Sequence, residues 1–281
     1  MCIAKCCHEG CSSVGTVKIE ANRRGGRAVY LCEYHARVKE SYFHENNIFH
    51  GVDKVCKNTF GCEFETSFST EKARAEFILN KYEPTADSTV DVEYKSPIMK
   101  GLNSFSKQCE TYEKLIQSGD LRVDSNCGTH FHFGDENFIN NITIDYVRRF
   151  VNSLFVPLSL EIEAHPEETK KLFGRNFNMT EWAIPITEAS RWTEHKNFIN
   201  LEHSNTLEFR LCKFDNANQM ITVAKCIKEM GNTIIKNFIM HFNDAEIDMS
   251  RYPTIKEYRK HKANVTAKKL VKIYRKYAGL D

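Results

Sequence analysis

Four short segments of the chain alternate apolar residues with acids, histidines or arginine. In the segment Cys127–Gly134, His130 and His132 are two positions apart, and Phe131 and Phe133 occupy the positions between and after them. Successive side chains of a β-strand point to opposite faces, so the two histidines would share one face and the two phenylalanines the other. The same alternation recurs in three further segments: Gly61–Glu65, Thr89–Tyr94 and Thr206–Leu211. Together they predict a sheet with one apolar face and one face of acids, imidazoles and a guanidinium.

Segments with helical spacing of apolar residues lie between and after these strands. They predict helices over residues 70–81, 104–117 and 216–242, and a basic helix from Pro253 onwards. A longer helical region is expected from about residue 143, broken at Pro157 and Pro166, with a loop over residues 172–175. Residues 197–201 and 205–214 are expected to pair as strands. Helices over the apolar face of the sheet give an α+β fold.

Composition places the chain among ordinary globular proteins. Its 281 residues suffice for one large domain with a small appendage, and 41% hydrophobic and 27% charged residues are typical of that class. The sequence shows no run long enough to span a membrane and no signal-peptide pattern at its start, so we expect no membrane partner. Eleven cysteines without a secretion signal favour a reducing compartment, and we expect the protein to be cytoplasmic.

The cysteines concentrate near the N-terminus, where their spacing is typical of a small zinc finger. The candidate ligands are Cys6, Cys11, Cys32 and His35. Cys7 is an alternative to Cys6, although a resemblance to small Cys-x4-Cys fingers of phage and bacterial proteins favours Cys6. A hairpin with strands over residues 16–20 and 27–31 would join the two ligand pairs. A segment this small has little core of its own, so a structural Zn²⁺ would supply its stability; scattered reduced thiols are the alternative.

The polar face of the predicted sheet carries residues suited to a divalent cation. They are Glu63, Glu65, Glu93, His130, His132, Glu208 and Arg210. Oxygen ligands suit Mg²⁺, which commonly holds substrate phosphates as well, and an arginine fits a phosphoryl oxygen. Two histidines and a carboxylate could also hold a hydrolytic zinc, and exposed charges on an ordinary sheet are a further alternative. The excess of carboxylates favours Mg²⁺ and nucleotide-dependent chemistry.

An ordered set of motifs resembles the amidoligase family, a branch of the carboxylate–amine ligases with the glutamine synthetase and glutamate–cysteine ligase fold. The motifs are Gly61-x-Glu63-x-Glu65, Glu93-Tyr94-Lys95-Ser96-Pro97, Cys127-Gly128-Thr129-His130-x-His132-x-Gly134, and Asn200 followed by Thr206-x-Glu208-Phe209-Arg210. The resemblance covers about residues 58–242. One departure is His195-Lys196, where family members often carry Arg-Tyr, and it puts one nucleotide or substrate contact in doubt.

The resemblance implies a curved antiparallel sheet with ATP and two or more Mg²⁺ ions on its concave face and helices on its outer face. It implies that ATP phosphorylates a substrate carboxylate to an acyl phosphate, which an amine then attacks to form an amide. Carried over by position, the Mg²⁺ ligands would be Glu63, Glu65, Glu93, His132 and Glu208. The nucleotide or its phosphates would contact His130, Arg210 and, further along the chain, Arg175.

These patterns predict four parts: a zinc module over residues 1–40, a connector over 41–57, a catalytic domain over 58–250 and a basic helix over 251–281. The expected substrates are a carboxylate and an amine. The zinc module and the basic helix would contact a nucleic acid or a protein partner. Two alternatives are a kinase of the same fold acting on a guanidinium or carboxylate, and a nucleic-acid-binding protein that uses the finger and the basic helix.

Overall fold

A computed structural model describes residues 17–19, 29–31, 59–85, 90–134, 150–180, 183–188, 196–200, 206–214, 216–239 and 254–281. The four candidate zinc ligands, the connector and the expected helix start near residue 143 lie outside these residues. Two short strands, β1 (Val17–Ile19) and β2 (Val29–Leu31), pair antiparallel with Val17 opposite Leu31. The pairing of the two strands expected in the N-terminal module is therefore confirmed.

The main sheet is antiparallel and contains seven of the described strands. The remaining strands along the chain are β3 (Thr59–Thr66), β4 (Phe68–Ser69), β5 (Glu83–Thr85), β6 (Val92–Lys95), β7 (Met99–Lys100), β8 (Leu121–Arg122), β9 (Thr129–Gly134), β10 (Ile199–Asn200) and β11 (Thr206–Phe209). The sheet order is β10-β11-β9-β3-β6-β5, with β7 also paired to β3, and β4 and β8 form a separate pair. All four alternating segments contribute strands to this one sheet.

The helices agree with most of the predicted segments. They are α1 (Glu71–Leu79), α2 (Leu102–Gln117), α3 (Val151–Ala164), α4 (Pro166–Phe173), α5 (Ala217–Ile234), which continues as a π-helical turn (Ile235–Ile239), and α6 (Ile255–Ala278); Phe177–Met179 form a 3₁₀ turn. The side chain of Thr70 caps α1 by accepting a hydrogen bond from the Ala73 amide, and Thr254 caps α6 in the same way. The caps explain why these helices begin where they do.

Two expectations about the middle of the chain were wrong. Pro157 does not break the helical region, because α3 runs through it. The residues beside it in α3, among them Leu154, Phe155 and Leu158, are fully buried, and their packing outweighs the one hydrogen bond that a proline removes. The loop expected over residues 172–175 begins only at Gly174, whose positive φ of 80° ends α4. Pro166 interrupts the helical region as expected: it begins α4, where a missing amide costs nothing.

Helices α2 and α5 cover the apolar face of the sheet. Phe64 of β3 stacks on Tyr112 of α2 with ring centroids 4.1 Å apart, and Phe105 of α2 meets Phe131 edge-on. Gly231 of α5 lies so close to β9 that an added Cβ would stand 2.3 Å from the Phe133 ring. A glycine is therefore required there, and the helix packs directly on the sheet.

The C-terminal helix α6 packs on this layer through α3 and α5. Its Leu270 and Tyr274 are fully buried, and the Tyr274 hydroxyl lies 2.6 Å from Oγ1 of Thr169 in α4. Six of its lysines remain exposed, at positions 256, 260, 268, 269, 272 and 276. The architecture is an open antiparallel sheet with helices packed on it, as expected for an α+β fold. Among the described helices, not one combines the length and apolar character needed to cross a membrane.

Candidate functional site

The face of the sheet opposite the helices carries all seven residues of the predicted polar set. Strand β3 contributes Glu63 and Glu65, β9 contributes His130 and His132, and β6 contributes Glu93. The other two members are Glu208 in β11 and Arg210 just after it. The register places Glu63 opposite His130, Glu65 opposite Glu93, and Glu208 opposite His132. All seven side chains are buried. The structure therefore brings together all seven residues of the predicted polar set.

Glu63 lies at the centre of this cluster. Its carboxylate oxygens are 3.1 Å from Lys95 Nζ, 3.2 Å from His130 Nδ1 and 3.3 Å from His132 Nε2. Because β3 lies between β9 and β6, a side chain in its middle is reached from both neighbouring strands. Glu63 is thus shared by polar groups from both sides of the cluster.

Glu65 is held at the edge of the cluster by the backbone of the β9 segment. The Gly128 amide donates a hydrogen bond of 2.5 Å to its carboxylate, and His130 Nε2 lies 3.4 Å from its other oxygen. A Cβ on Gly128 would stand 2.7 Å from Nη2 of Arg175 and 3.1 Å from Glu65 Oε2. The same Arg175 nitrogen donates to the Arg210 carbonyl at 2.8 Å. The glycine therefore lets a carboxylate and a guanidinium approach one backbone segment together.

Glu208 is fully buried and fixed from two sides. Asn200 Nδ2 donates to one carboxylate oxygen and Arg210 Nη1 to the other, each at 2.7 Å. The second oxygen is also 3.3 Å from His130 Nδ1. Within the described part of the chain, the Nε atoms of Arg175 and Arg210 are buried without a hydrogen-bond partner. Both guanidiniums thus keep a donor for an anion.

The carboxyl groups of the cluster differ in their pKa values. Burial raises the pKa of Glu93 to about 9, and the negative charge of Glu63 adds to this effect. Burial acts on Glu63 in the same direction, but His132 and hydrogen bonds from both histidines outweigh it, and the pKa of Glu63 lies well below its usual value. Burial acts to lower the pKa of His132, but the charge of Glu63, a hydrogen bond to Glu63 and the charge of Glu208 together outweigh burial, and the pKa is raised. At neutral pH Glu63 is ionised and Glu93 holds a proton.

Among the residues that the structure describes, two sets of side chains have the donor types and spacing for a cation. The first is Glu63, His132 and Glu208, and the second is Glu63, Glu93 and His130; in each set the ligand atoms lie within 4.8 Å of one another. Carboxylate-rich sets fit Mg²⁺ or Mn²⁺, and an imidazole is compatible with either. The donor chemistry therefore fits the expected Mg²⁺ ions, with Glu63 in both sets. Glu65, which the resemblance makes a ligand, lies outside both sets.

Several functional neighbours were absent from the predicted site. Lys95 and Asn200 lay inside the quoted motifs but were given no role, and the structure places Lys95 against Glu63 and Asn200 against Glu208. Lys95 and Asn200 each follow a buried residue of the same strand, and this alternation could have been used to predict that they face the cluster. The Thr85 hydroxyl donates a hydrogen bond of 3.0 Å to the Glu93 carboxylate, but no pattern in the sequence indicated a role for Thr85. Asp91 shares the alternation of Glu93 but lies before β6 and pairs with Arg74 at 3.0 Å instead.

Comparisons with known proteins add little to this description of the site. No protein-family model matches the sequence, and no curated protein matches it. A solved structure described as a novel glutamine synthase homolog is similar over 94% of this chain and 82% of its own chain, with 11% sequence identity and a TM-score of 0.34.

Proposed function

We propose that this chain is an ATP- and Mg²⁺-dependent carboxylate–amine ligase on a glutamine synthetase-like sheet. In this reaction the γ-phosphoryl group of ATP passes to a substrate carboxylate, an amine attacks the acyl phosphate, an amide forms and phosphate leaves. The single observation that carries the proposal is the pair of ligand sets that share Glu63, beside two arginines with free donors. The motif order described above supports the same chemistry.

The residues of the cluster would have different roles according to their positions. Glu63, His132 and Glu208 would hold one cation, and Glu63, Glu93 and His130 the other. Such cations neutralise phosphate charge and align the phosphoryl group. Asn200 and Arg210 fix both oxygens of Glu208, and Thr85 orients Glu93. These contacts hold the ligands in place before a substrate arrives, and preorganisation of this kind lowers the barrier to transfer.

The arginines and Glu65 would act on the substrates. Arg210 binds Glu208 through Nη1 and has Nε free, so it can contact a phosphoryl oxygen without releasing Glu208. Arg175 lies beside Gly128 and Glu65 and would contact a second anionic group, a phosphate or the substrate carboxylate. Glu65, held by the Gly128 amide, would border the site where the substrate enters.

Calorimetric titration of ATP into the purified protein, with and without Mg²⁺, tests the nucleotide site. We expect binding only with Mg²⁺, and a loss of affinity of about 10- to 100-fold in Glu63→Gln and Glu208→Gln. The matched control is Glu110→Gln, the same change at an exposed position of α2. Absence of ATP binding by the unaltered protein would overturn the proposal.

ADP release then distinguishes amide formation from simple phosphorylation. With pools of carboxylic acids and amines, we expect ADP and phosphate to appear only when both an acid and an amine are present. A phosphorylated product that accumulates without any amine would show a kinase instead. Both measurements use Glu110→Gln as the active reference.

A further inference from the structure

A groove lies where β8, the end of α4 and the start of α5 meet. Its lining shares no residue with the seven residues of the predicted polar set, which we call the carboxylate–imidazole cluster. The volume of the groove is about 1000 Å³. The residues that carry its chemistry are Arg122, Glu167, Lys170, Lys171, Lys213 and Phe214. They come from three separate parts of the chain, so the sequence alone gives no sign of them as a group. Nothing in the proposed ligase mechanism uses this groove.

In the described part of the chain, the residues that line the groove include four cations and one carboxylate, Glu167. Among the described residues, Arg122, Lys170 and Lys171 form no ion pair. Lys213 donates to the Asp124 carbonyl and also attracts the Asp124 carboxylate, so it is the least free of the four cations. Some other exposed lysines among the described residues do have acidic partners, as in the pairs Lys72–Asp120 and Lys276–Glu229. Like charges gathered in one concave surface repel one another, and an anionic ligand would relieve that repulsion.

The floor of the groove is apolar. Leu121 and Phe214 are buried beneath it, and Ile116 is half-buried at its side. Beside the groove, the Arg122 guanidinium lies 5.2 Å above the ring of Phe68, which is itself 42% exposed. An occupant would therefore need apolar groups for the floor as well as negative charges for the walls.

The backbone around the groove favours carboxylates over a phosphate cluster. Many phosphate sites use free amides at a helix N-terminus, but at the start of α5 the Gln219 amide is bonded to Asn216 and the Ala217 amide to Glu113. The positive charge is thus supplied by separate flexible side chains, which suit separate carboxylates along a chain.

We propose that this groove binds an acidic peptide segment of a partner protein. Two or more carboxylates of that segment would meet Arg122, Lys170, Lys171 and Lys213, and an apolar side chain between them would contact the half-buried Ile116. The proposal stands independently of the ligase activity, because no residue of the carboxylate–imidazole cluster takes part in it.

Fluorescence anisotropy with a fluorescein-labelled peptide, Glu-Glu-Leu-Glu-Glu, tests the proposal on the full chain. We expect binding that weakens as salt is added, and a loss of about tenfold in Lys170→Glu/Lys171→Glu, because reversal turns two attractions into repulsions. Arg122→Glu should weaken binding in the same direction. All three side chains are exposed, so the fold should be retained, and circular dichroism checks this.

The matched control is Lys256→Glu/Lys260→Glu on α6, which makes the same change of net charge at exposed positions of another surface. We expect it to bind as the unaltered protein does. Equal loss in the control would overturn the proposal, since net charge alone would then explain binding. So would absence of peptide binding, or tighter binding of a five-nucleotide oligothymidylate, which would mark a nucleic-acid surface.

Discussion

Glu63→Gln is the most informative single change in this protein, because Glu63 belongs to both candidate ligand sets. The substitution keeps the size of the side chain and removes its charge. It should abolish stabilisation by Mg²⁺ or Mn²⁺, which can be measured by thermal unfolding without any substrate. Glu93 belongs to one set only, so Glu93→Gln should keep part of the effect.

The size of the effect follows from binding linkage. A cation at a hundred times its Kd, bound only by the folded state, stabilises that state by about 2.7 kcal/mol. For a chain of this size, 1 kcal/mol corresponds to roughly 2–4 °C in Tm. Each bound cation should therefore raise the Tm of the unaltered protein by about 5–10 °C, whereas Glu63→Gln, which lacks a ligand of both sets, should gain close to none.

The quantity to compare between variants is the change in Tm that each variant shows on addition of the cation. The baseline Tm also changes, because Lys95, His130 and His132 each lose a charged partner in Glu63→Gln. Glu110→Gln, the exposed control, should show the full cation shift. If Glu63→Gln shifted as much as the unaltered protein, Glu63 would not be a shared ligand and the two-cation interpretation would fail.

Three further predictions concern protonation and packing. Since the pKa of Glu93 is raised to about 9, a cation at neutral pH must displace its proton. Glu93 should therefore make the apparent Mg²⁺ affinity rise by up to about tenfold per unit between roughly pH 6 and 8. His132, a ligand whose pKa is also raised, adds to this slope, so Glu93→Gln should reduce the slope in calorimetry without removing it; a flat profile in the unaltered protein would contradict the prediction. Gly231→Ala should lower the free energy of unfolding by about 1–3 kcal/mol in urea titration, because its Cβ would overlap Phe133, whereas Lys225→Ala on the exposed face of α5 should have little effect. Leu270→Ala should cost about 2–5 kcal/mol by the same titration, because this side chain of α6 is fully buried; a cost below about 1 kcal/mol would show that α6 does not belong to the core.

The sequence by itself determined which residues share a face. Alternation with a period of two is a local property of a strand, so it was enough to place Glu63 with Glu65 and His130 with His132. Local signals also located the helices, although Pro157 was misread because the packing that keeps α3 continuous comes from residues far along the chain.

Only the tertiary structure decided which of those residues meet. The sheet order places β3 between β9 and β6, so Glu63 contacts side chains of both neighbouring strands. Asp91 alternates in the same way as Glu93 but forms an ion pair with Arg74 instead. Lys95 and Asn200 joined the cluster through strand register, and Arg175 reached the Arg210 carbonyl across 35 positions of sequence. The basic groove likewise joins three separate segments. Spacing along the chain sets the direction of a side chain within its own element, but its neighbours are set by how the elements pair and pack.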